Sequence, residues 1–535
     1  MRRLFSGPMT SSLGANLVYE HNEYGELICF KANEAETNAR FTSEHQYDRL
    51  GFELERLLPG GVSQSFAYDN IGRLVNSKTR RSAEQRRSRH YNWGSADRLL
   101  SIEDDRYGLT QYSYSPSGEL TMATYADGTK EYRLSDKVGN LYNDPDKKLR
   151  KYLEGGRIEK SGEWTFKYDK DGQLIEKFRG KVGFFSAKKD RWEYSWNQNG
   201  TLKGVFAPHR HGHWTSFTYD ALGRRLTKLG DTTFHYLWNG NVPLHEWQTG
   251  NRYVGSVLTP YSEDFKTWLF EEESFVPLAL IQDGKAYSIV CDQLGTPTEA
   301  YDEEGKEVWY RRLDMNGKVL EETQPGLNPE GYVSIPFLFQ GQYYDYETGL
   351  AYNRFRYYDP ELGRYISQDP IRFNSRVYSF YVYVANPNLV IDVLGLDWNY
   401  VLVNAEGKAY YHGRASDSQT LEDVARRHAT TEGTDGARFG KGDTLQRKTK
   451  VGTPKDTVRG IEQIGIEENS LLGRGSSEVR GNKINGISEA KQKTKAGQRR
   501  LKAANALLAS NRVGKVSDLP TLDEIKFNDK GCKKQ

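Results

Sequence analysis

Cysteine is scarce in this 535-residue chain, and long apolar runs are missing. The three cysteines, Cys29, Cys291 and Cys532, lie far apart and at no spacing typical of metal ligands, which excludes a disulfide framework and a cysteine-based zinc site. No apolar stretch approaches the length of a membrane-spanning helix, so we expect no membrane span. The opening MRRLFSGPMTSSLG has too short an apolar stretch for a signal peptide, so we expect any delivery to use other machinery.

Methionine is also rare, with 4 residues, whereas tyrosine, phenylalanine and tryptophan number 35, 22 and 10, and glycine numbers 52. Aromatic side chains suit the pleated surface of strands, and glycine suits the turns between them. The composition therefore favours a mainly β fold of many short strands. At this length we expect two unequal parts, the larger of them all-β.

Charge is divided unevenly along the chain. Residues 397–535 carry 26 Lys and Arg against 18 Asp and Glu, a net charge of +8. The whole chain has 75 against 72, which leaves 49 against 54, or −5, for the first 396 residues. A basic region behind an acidic one is typical of a module that meets a polyanion such as nucleic acid. A merely solvated basic surface explains the charge equally well.

A short pattern, Y-D-x-x-G-x-L, recurs through the acidic region. Each copy predicts strand, tight turn and strand, because Asp or Asn followed by Gly supplies the positive-φ chemistry of a hairpin turn. The first copies are 21 to 23 residues apart, the length of one unit in a repeat array. The copies are YDRLGFEL at Tyr47, YDNIGRLV at Tyr68, YNWGSADRL at Tyr91, YSPSGELT at Tyr114, SDKVGNLY at Ser135, YDKDGQLI at Tyr168, WNQNGTLK at Trp196 and YDALGRRL at Tyr219.

These copies resemble the YD repeats of the Rhs family, which are shared with the C component of insecticidal Tc toxins and with teneurins. The resemblance covers residues 17–396 and is most specific near its end, in FQGQYYDYETGLAYNRFRYYDPELGRYISQDP from Phe339. It implies that residues 1–396 form a YD-repeat spiral or shell of β-hairpins. Complete family members are much longer, so it also implies a partner, either the remaining Rhs shell or a secretion-system carrier.

Two aspartates near the end of this region are candidates for self-cleavage. Asp369 lies in ISQDPIRF and Asp392 in VIDVLGL, and in the Rhs family a pair of D-P-x-G motifs precedes the cleaved bond. The resemblance implies that Asp369 and Asp392 act as an aspartyl pair, one as acid and one as base, on the bond after Leu396. The motifs depart from the family pattern, with Arg372 in place of Gly and Val393 in place of Pro. The alternative is that both aspartates only cap turns.

Three histidines alternate in PHRHGHW, at positions 209, 211 and 213. On a strand, alternate side chains share one face, where three imidazoles can bind a transition metal. The alternative is a polar strand face.

The basic region predicts a small α+β domain of residues 397–535. Two strands are expected at 400–404 and 408–412, joined by a turn at Gly407. Helices are expected to follow, and they begin at Thr420, Thr453 and Glu489.

This order, with YVLV and then YYHG, resembles the GIY-YIG nuclease domain over residues 398–490, and RGIEQIGIEEN and GNKINGIS are especially similar to its Rhs-associated versions. The resemblance implies an endonuclease in which Tyr400 and Tyr411 position or deprotonate the attacking water and Arg426 stabilises the phosphorane. It also implies that Glu462 holds one Mg²⁺ or Mn²⁺ ion and that Asn485 braces the site.

Several assignments in this domain stay open. The first signature tyrosine follows Asn399 rather than Gly-Ile, and His412 replaces the Ile or Val of the second signature. Arg414 and Arg427 are rival candidates for the arginine, and His428 is a candidate to assist or to contact phosphate. The helix from Glu489 carries a basic face that suits phosphates, with candidate nucleic-acid contacts at Lys491, Lys495 and Arg499.

Together these resemblances imply an Rhs-type toxin that is delivered by a type VI secretion system in contact-dependent antagonism between bacteria. Its released nuclease would cut nucleic acid, DNA rather than RNA, in the target-cell cytoplasm, and the producer would need an immunity protein whose acidic surface covers the basic cleft. One alternative is another toxin chemistry on the same carrier, such as ADP-ribosyl transfer. Another is a non-enzymatic cell-surface YD-repeat protein.

Overall fold

The structure of the chain is a computed structural model. It describes residues 8–35, 37–81, 84–180, 190–209, 213–254, 257–272, 274–323, 333–369 and 380–393, and, as backbone alone, the strands at 397–403, 409–416, 444–447, 523–528 and 531–534. The chain divides into two compact units, the first made of residues 1–368 and 377–393 and the second of residues 369–376 and 394–535.

The first unit is built of antiparallel strands that pair in chain order. This order arises when each strand is joined to the next by a hairpin, as the repeats predict. A 12-stranded first sheet comprises β1 (Met9–Thr10), β2 (Ala15–His21), β3 (Leu27–Glu34), β4 (Arg40–Tyr47), β5 (Glu53–Leu58), β6 (Val62–Tyr68), β7 (Leu74–Arg81), β8 (Glu84–Trp93), β9 (Leu99–Asp104), β10 (Gly108–Tyr114), β11 (Leu120–Thr124) and β12 (Lys130–Tyr132). A two-stranded pair follows, β13 (Leu134–Ser135) and β14 (Leu141–Tyr142).

A 16-stranded second sheet continues the same pattern. It comprises β15 (Arg150–Leu153), β16 (Arg157–Ser161), β17 (Trp164–Tyr168), β18 (Leu174–Arg179), β19 (Arg191–Trp196), β20 (Leu202–Phe206), β21 (Trp214–Tyr219), β22 (Arg225–Leu229), β23 (Thr233–Asn239), β24 (Val242–Val254), β25 (Val257–Phe270), β26 (Pro277–Gln282), β27 (Lys285–Cys291), β28 (Pro297–Tyr301), β29 (Glu307–Leu313) and β30 (Val319–Glu322). Short 3-10 turns lie at Pro59–Gly61, Ser95–Asp97 and Glu154–Gly156.

The Y-D-x-x-G turns close on the aspartate side chain. Between β4 and β5, Asp48 Oδ1 accepts hydrogen bonds from the N–H of Leu50 at 2.8 Å and of Phe52 at 3.0 Å. Gly51 has a φ of 85°, which glycine adopts without strain. The predicted hairpin repeats are therefore confirmed, since the same pair of bonds recurs at Asp69, Asp136, Asp169, Asp220, Asp292, Asp302 and Asp314.

The aromatic residue of a repeat ties it to the repeat before. Its ring N–H or hydroxyl donates at 2.7 Å to the backbone carbonyl of the preceding consensus leucine, next to a register shift in its own strand. Several consensus leucines are fully buried, among them Leu99 and Leu174. Burying such a side chain contributes about 1.5–3 kcal/mol. The bonded pairs are Trp93 with Leu74, Tyr114 with Leu99, Trp196 with Leu174 and Tyr219 with Leu202.

Residues 333–368 and 380–393, here called the closing segment, cover several of these turns. A Cβ at Gly223 would lie 2.7 Å from the ring of Phe355, and one at Gly317 would lie 2.9 Å from the ring of Phe339. The segment contains a 4-stranded sheet, β31 (Tyr343–Asp345), β32 (Leu350–Asn353), β33 (Arg356–Asp359) and β34 (Arg364–Tyr365). The repeats therefore supply turns close enough to the closing segment that only glycine fits.

The second unit contains five described strands, β35 (Asp397–Val403), β36 (Ala409–Ser416), β37 (Thr444–Arg447), β38 (Asp523–Asn528) and β39 (Gly531–Lys534). They form an antiparallel sheet in the order β36-β35-β37-β38-β39. The two predicted tail strands are found with different ends, because β35 begins at Asp397 and β36 reaches Ser416. The predicted helices lie outside the described residues, so the α+β class of this unit stays a prediction.

Two further sequence expectations concern a metal and a membrane. The histidines of PHRHGHW are predicted to share one strand. This prediction is wrong for His209 and His213, because both lie between the end of β20 and the start of β21. The ring of His209 packs edge-on against Trp192 instead, with centroids 5.4 Å apart. Within the described ranges, no helix has both the length and the apolar character to cross a membrane.

Candidate active site at the end of the closing segment

The hairpins of the closing segment bring three polar side chains together. β32 and β33 are joined by a two-residue turn in which Arg354 has a φ of 54°, so that Asn353 pairs with Arg356. β33 then pairs with β34, which carries Tyr365. Asn353, Arg356 and Tyr365 are all buried, at 0%, 3% and 1% exposure.

These side chains hold Asp392, which is 9% exposed. Asp392 Oδ2 accepts hydrogen bonds from Arg356 Nη2 at 2.7 Å and from the Tyr365 hydroxyl at 2.9 Å. Asn353 Nδ2 donates to the Tyr365 hydroxyl oxygen at 2.7 Å and to the Asp392 carbonyl at 2.8 Å. These contacts differ from those of the repeat aspartates, whose side chains cap their own turns.

The arginine and the tyrosine also contact each other. The guanidinium carbon of Arg356 lies 3.5 Å from the centroid of the Tyr365 ring, a cation–π arrangement. Burial, and then the charge of Asp392, raise the pKa of Tyr365 well above its usual value. The phenol therefore stays protonated and serves as a hydrogen-bond donor to the carboxylate.

The backbone around Asp392 is anchored on both sides. The Asp392 N–H donates to the Tyr383 hydroxyl oxygen at 3.2 Å. Val393 lies directly against Gly341, whose φ is 82° and whose missing side chain leaves room for the Val393 backbone. A Cβ at Gly341 would lie 2.7 Å from the Val393 Cα, so glycine is required there. The position of Asp392 thus depends on close packing as well as on its polar partners.

The described residues answer the self-cleavage prediction only in part. Asp392 lies among charged and polar side chains suited to orient a reacting carboxylate. Asp369 is also buried, at 6% exposure, and belongs to the second unit. Leu396 and Arg372 lie outside the described residues. The pairing of the two aspartates therefore stays a prediction.

Two predicted nuclease residues lie on paired strands of the second unit. β35 and β36 are antiparallel, with Tyr400 opposite Gly413 and Tyr411 opposite Leu402. Because opposed residues share a face and alternate residues of one strand do too, the two tyrosine positions lie on the same face of this sheet. Arg414, the rival arginine candidate on β36, lies opposite Asn399 and so on the other face of the sheet. The following predicted residues of this domain lie outside the described residues: Arg426, Arg427, His428, Glu462, Asn485, Lys491, Lys495 and Arg499.

Sequence reasoning missed the partners of Asp392. Asn353, Arg356 and Tyr365 all lie in the long motif from Phe339, where the interpretation used the pattern for family resemblance only. Their signal was the density of polar and aromatic residues just before ISQDP. Over the described residues, no group of three or more His, Cys, Asp or Glu side chains is placed to bind a metal.

A small cavity elsewhere in the first unit is a weaker candidate. It has a volume of about 30 Å³ and is lined mostly by apolar side chains, among them Trp238, Phe270 and Phe337. Gln342 also lines it and is 1% exposed, and its side-chain amide bonds no other described residue. A space of this size suits a bound water that satisfies the amide rather than a substrate.

Known proteins match the chain over its hairpin region. A family profile, described as the Teneurin YD-shell, matches residues 16–389. Double-stranded DNA deaminase toxin A of Burkholderia cenocepacia is 33% identical over 384 residues, which are 67% of this chain and 26% of that protein. Toxin protein Tse5 of Pseudomonas aeruginosa is 26% identical over 427 residues, 70% of this chain and 30% of that protein. Probable deoxyribonuclease RhsB of Dickeya dadantii is 27% identical over 396 residues, 67% of this chain and 26% of that protein.

The chain thus spans less than a third of the length of these relatives. The matched profile covers most of both large sheets and the strands that carry Arg356 and Tyr365. Since the profile covers well over half of the sequence, the chain belongs to the YD-shell family.

Proposed function

We propose that the chain is part of an Rhs-type toxin used between bacteria, with a carrier that cuts its own chain and a tail that is an endonuclease. The observation that carries the proposal is the buried Asp392, held by Arg356 and Tyr365 just before the second unit begins. A catalytic carboxylate needs such a fixed, water-poor setting at the point where carrier and cargo join. The toxin names of the relatives support the same proposal.

In the proposed cleavage, Asp369 and Asp392 act as acid and base on the peptide bond between Leu396 and Asp397. The base removes a proton from a water molecule, whose oxygen attacks the Leu396 carbonyl carbon. The C–N bond then breaks as the acid protonates the nitrogen of Asp397. Arg356 and Tyr365 are proposed to act through Asp392 as positioning residues.

The cleavage is tested on the full chain carrying Glu462→Ala, so that a toxic tail does not kill the expression host. Intact mass spectrometry is expected to detect a fragment of residues 397–535, and Asp392→Asn and Asp369→Asn are each expected to abolish it. Asp171→Asn is the control, because Asp171 is exposed in a turn. A fragment released at the same rate by Asp392→Asn contradicts the proposed role.

We further propose that residues 397–535 cut DNA. Support comes from the paired strands that carry Tyr400 and Tyr411, from the net charge of +8, and from relatives named as DNA-acting enzymes. The two tyrosines would orient or deprotonate the attacking water, with His428 assisting, and Arg426 would offset charge on the phosphorane. Lys491, Lys495 and Arg499 would bind the backbone phosphates of the substrate in a salt-dependent way.

Glu462 is proposed to hold the metal, since a carboxylate is a ligand that Mg²⁺ and Mn²⁺ prefer. Such an ion would offset charge on the scissile phosphate and on the leaving oxygen. Asn485 would brace the site beside it.

The nuclease is tested by incubating the purified full chain with supercoiled plasmid and with total RNA. Nicking of plasmid that needs Mg²⁺ and stops with EDTA is expected, with loss in Glu462→Ala and in Tyr411→Phe. Glu467→Ala is the matched control, because Glu467 lies on the same predicted helix away from its apolar stripe. The nuclease is contradicted if plasmid and RNA both stay intact with a preparation that is folded and still toxic in cells. NAD-dependent modification of a cell component would then favour ADP-ribosyl transfer.

A DNA deaminase is the second candidate that the relatives suggest. Zinc-dependent deaminases bind their metal through a P-C-x-x-C motif together with a further His or Cys. The tail contains only Cys532, so its sequence does not provide that site. The endonuclease is therefore the better proposal. We propose with it an immunity protein in the producer, delivery by a type VI secretion system and action in the target-cell cytoplasm.

A further inference from the structure

A turn at the far end of the second sheet docks on the end of the first sheet. Residues 314–318 join β29 to β30, and Met315 in this turn is 5% exposed. Met315 packs against Leu120 and Ala123 of β11, which are fully buried. Residues distant in sequence thus meet where the two large sheets come together.

Glu131 of β12 binds this turn beside Met315. Glu131 Oε1 accepts a hydrogen bond from Asn316 Nδ2 at 2.6 Å, and Oε2 accepts one from the Met315 N–H at 3.3 Å. The Tyr125 hydroxyl donates to Oε2 at 2.6 Å. The carboxylate of Glu131 therefore has three donors, two of them from the docked turn.

Asp314 adds a second carboxyl to the same contact. One of its oxygens, Oδ1, accepts the N–H groups of Asn316 and Lys318, each at 2.8 Å, as in the other repeat turns. Glu131 bonds to the side-chain amide of the same Asn316, so two carboxyl groups lie at one residue. Two carboxylates this close repel each other, which favours a proton on one of them.

Cations near this pair are committed elsewhere. Lys318 Nζ bonds to Glu361 at 3.0 Å, and Arg133 donates to Asn316 Oδ1 and to the carbonyls of Val384 and Ala385. In the part of the chain that the structure describes, neither Glu131 nor Asp314 forms an ion pair with Lys or Arg. Among the described residues, Tyr112, Tyr125 and Tyr358 also lie near the pair, and the Arg312 guanidinium lies 5.9 Å from the centroid of the Tyr125 ring.

We propose that Glu131 and Asp314 form a proton-dependent latch that holds the β29–β30 turn on the first sheet and loosens as the pH rises. A proton on Asp314 lets the two carboxyl groups lie at the same residue without a cation. Its loss leaves two negative charges close together in a partly buried setting, where they repel each other. The same turn contacts the closing segment, because the Tyr358 hydroxyl donates to the Asn316 carbonyl at 2.6 Å, so loosening also weakens that contact.

The direction of the pH effect follows from the folded-state acidity of Asp314. Burial, and then the charge of Glu131, raise the pKa of Asp314 well above its ordinary value of 3.8. A group with a raised folded pKa contributes fully below the unfolded value, and its contribution is lost as the pH rises through the folded pKa. The docked turn is therefore most stable in acid. Within that window, the loss of one proton raises the equilibrium constant for opening of the turn by roughly tenfold per pH unit.

The latch is tested by amide hydrogen exchange of the full chain between pH 4 and 9. The rates are corrected for the intrinsic pH dependence of amide exchange. In the wild type, amides of residues 314–323 are expected to lose protection as the pH rises, roughly tenfold per unit within the window. Asp314→Asn is expected to make this protection independent of pH, since the amide does not titrate and Oδ1 is kept as an acceptor for the turn. Glu131→Gln serves as a second variant that removes the charge from the other side.

Asp302→Asn is the matched control, because Asp302 caps the β28–β29 turn with the same two backbone bonds and has no carboxyl partner among its hydrogen bonds. It is expected to keep the wild-type pH dependence in residues 314–323. A wild-type protection that is already flat with pH, or a slope that survives in both Asp314→Asn and Glu131→Gln, overturns the latch. The outcome does not depend on the proposed self-cleavage or on the nuclease.

Discussion

Arg225 lies fully buried in the second sheet, which a charged side chain tolerates only with specific partners. Its Nη1 bonds to Asp345 at 2.6 Å, and its guanidinium carbon lies 4.8 to 4.9 Å from the ring centroids of Tyr236, Tyr343 and Tyr352. Ion pairing and cation–π contacts together replace the lost hydration. The arginine thereby ties β22 to the closing segment.

We predict that Arg225→Met lowers the free energy of unfolding by up to about 3–5 kcal/mol, because it removes one of the two cations that pair with the buried Asp345 carboxylate and leaves only Lys228, at 3.2 Å. Urea denaturation followed by tryptophan fluorescence measures the change. Arg179→Met is the control, since the pair of Arg179 with Asp190 is exposed and is worth about 0–1 kcal/mol. Equal losses in the two variants would mean that the buried cluster has no special role.

At the candidate active site, the Tyr365 hydroxyl can be removed while the ring is kept. Its removal therefore distinguishes a role in positioning Asp392 from a role of the ring in packing. We predict that Tyr365→Phe slows self-cleavage by roughly 10- to 100-fold, since a hydrogen bond to a charged group is worth about 1.5–3 kcal/mol. The phenylalanine ring keeps the contact with Arg356, so folding should be retained. Release of the tail fragment over time measures the rate, and an unchanged rate in a folded variant would show that the hydroxyl does not position Asp392 for the reaction.

At the scale of elements, the closing segment sets the position of the junction through backbone packing. Gly341 and Gly349 both have positive φ, at 82° and 68°, but only Gly341 lies against Val393. A Cβ at Gly349 would meet no atom within 4 Å. The two glycines therefore separate the cost of backbone strain from the effect of moving Asp392.

We predict that Gly349→Ala destabilises the fold by about 1–2 kcal/mol, the cost of a Cβ at positive φ. Gly341→Ala is expected to cost more than this, because its Cβ also meets the Val393 backbone. Only Gly341→Ala is expected to slow self-cleavage as well, by displacing Val393 and with it Asp392. Denaturation midpoints and fragment release are measured on both variants. Similar cleavage rates for the two variants would show that the Val393 contact does not position the aspartate.

At the scale of the whole first unit, buried polar chains join the two large sheets. His245 of β24 is fully buried, its Nε2 lies 2.7 Å from the Ser11 hydroxyl, and its Nδ1 lies 3.0 Å from the Thr267 hydroxyl. Thr267 in turn donates to Glu34 of β3 at 2.7 Å. Burial lowers the pKa of His245 from 6.5 to about 4, so the imidazole is neutral in the folded protein at pH 7.

We predict that the first unit loses about 3 kcal/mol of stability through His245 as the pH falls from 7 to 4. In this window His245 binds a proton in the unfolded state but not in the folded state, so stability rises with pH. His245→Gln is expected to remove this part of the slope, although it lowers stability at pH 7. Urea denaturation across the pH range measures both variants, and an unchanged slope would refute the assignment to His245.

Local chemistry explains what could be read from the sequence. An aspartate side chain that bonds N–H groups two and four residues on, followed by a glycine at positive φ, makes the same hairpin wherever it occurs, so the repeats could be predicted from the sequence. The strand pair of the tail was predicted from a different signal, Gly407 between two short runs of strand-forming residues. Asp392 was named as a candidate, but the strand predicted for PHRHGHW was wrong because alternation alone does not make a strand. The nuclease residues of the tail remain predictions.

By itself the sequence determined the hairpins, their order and the uneven charge, because each depends on residues within a few positions of one another. Tertiary structure alone decided which side chains surround Asp392, since Arg356 and Tyr365 lie 36 and 27 residues away and reach it only through the turns of the closing segment. It also decided the contact of Glu131 with Asn316, across 185 residues. Such contacts depend on how whole sheets pack, and no local pattern of residues records that packing.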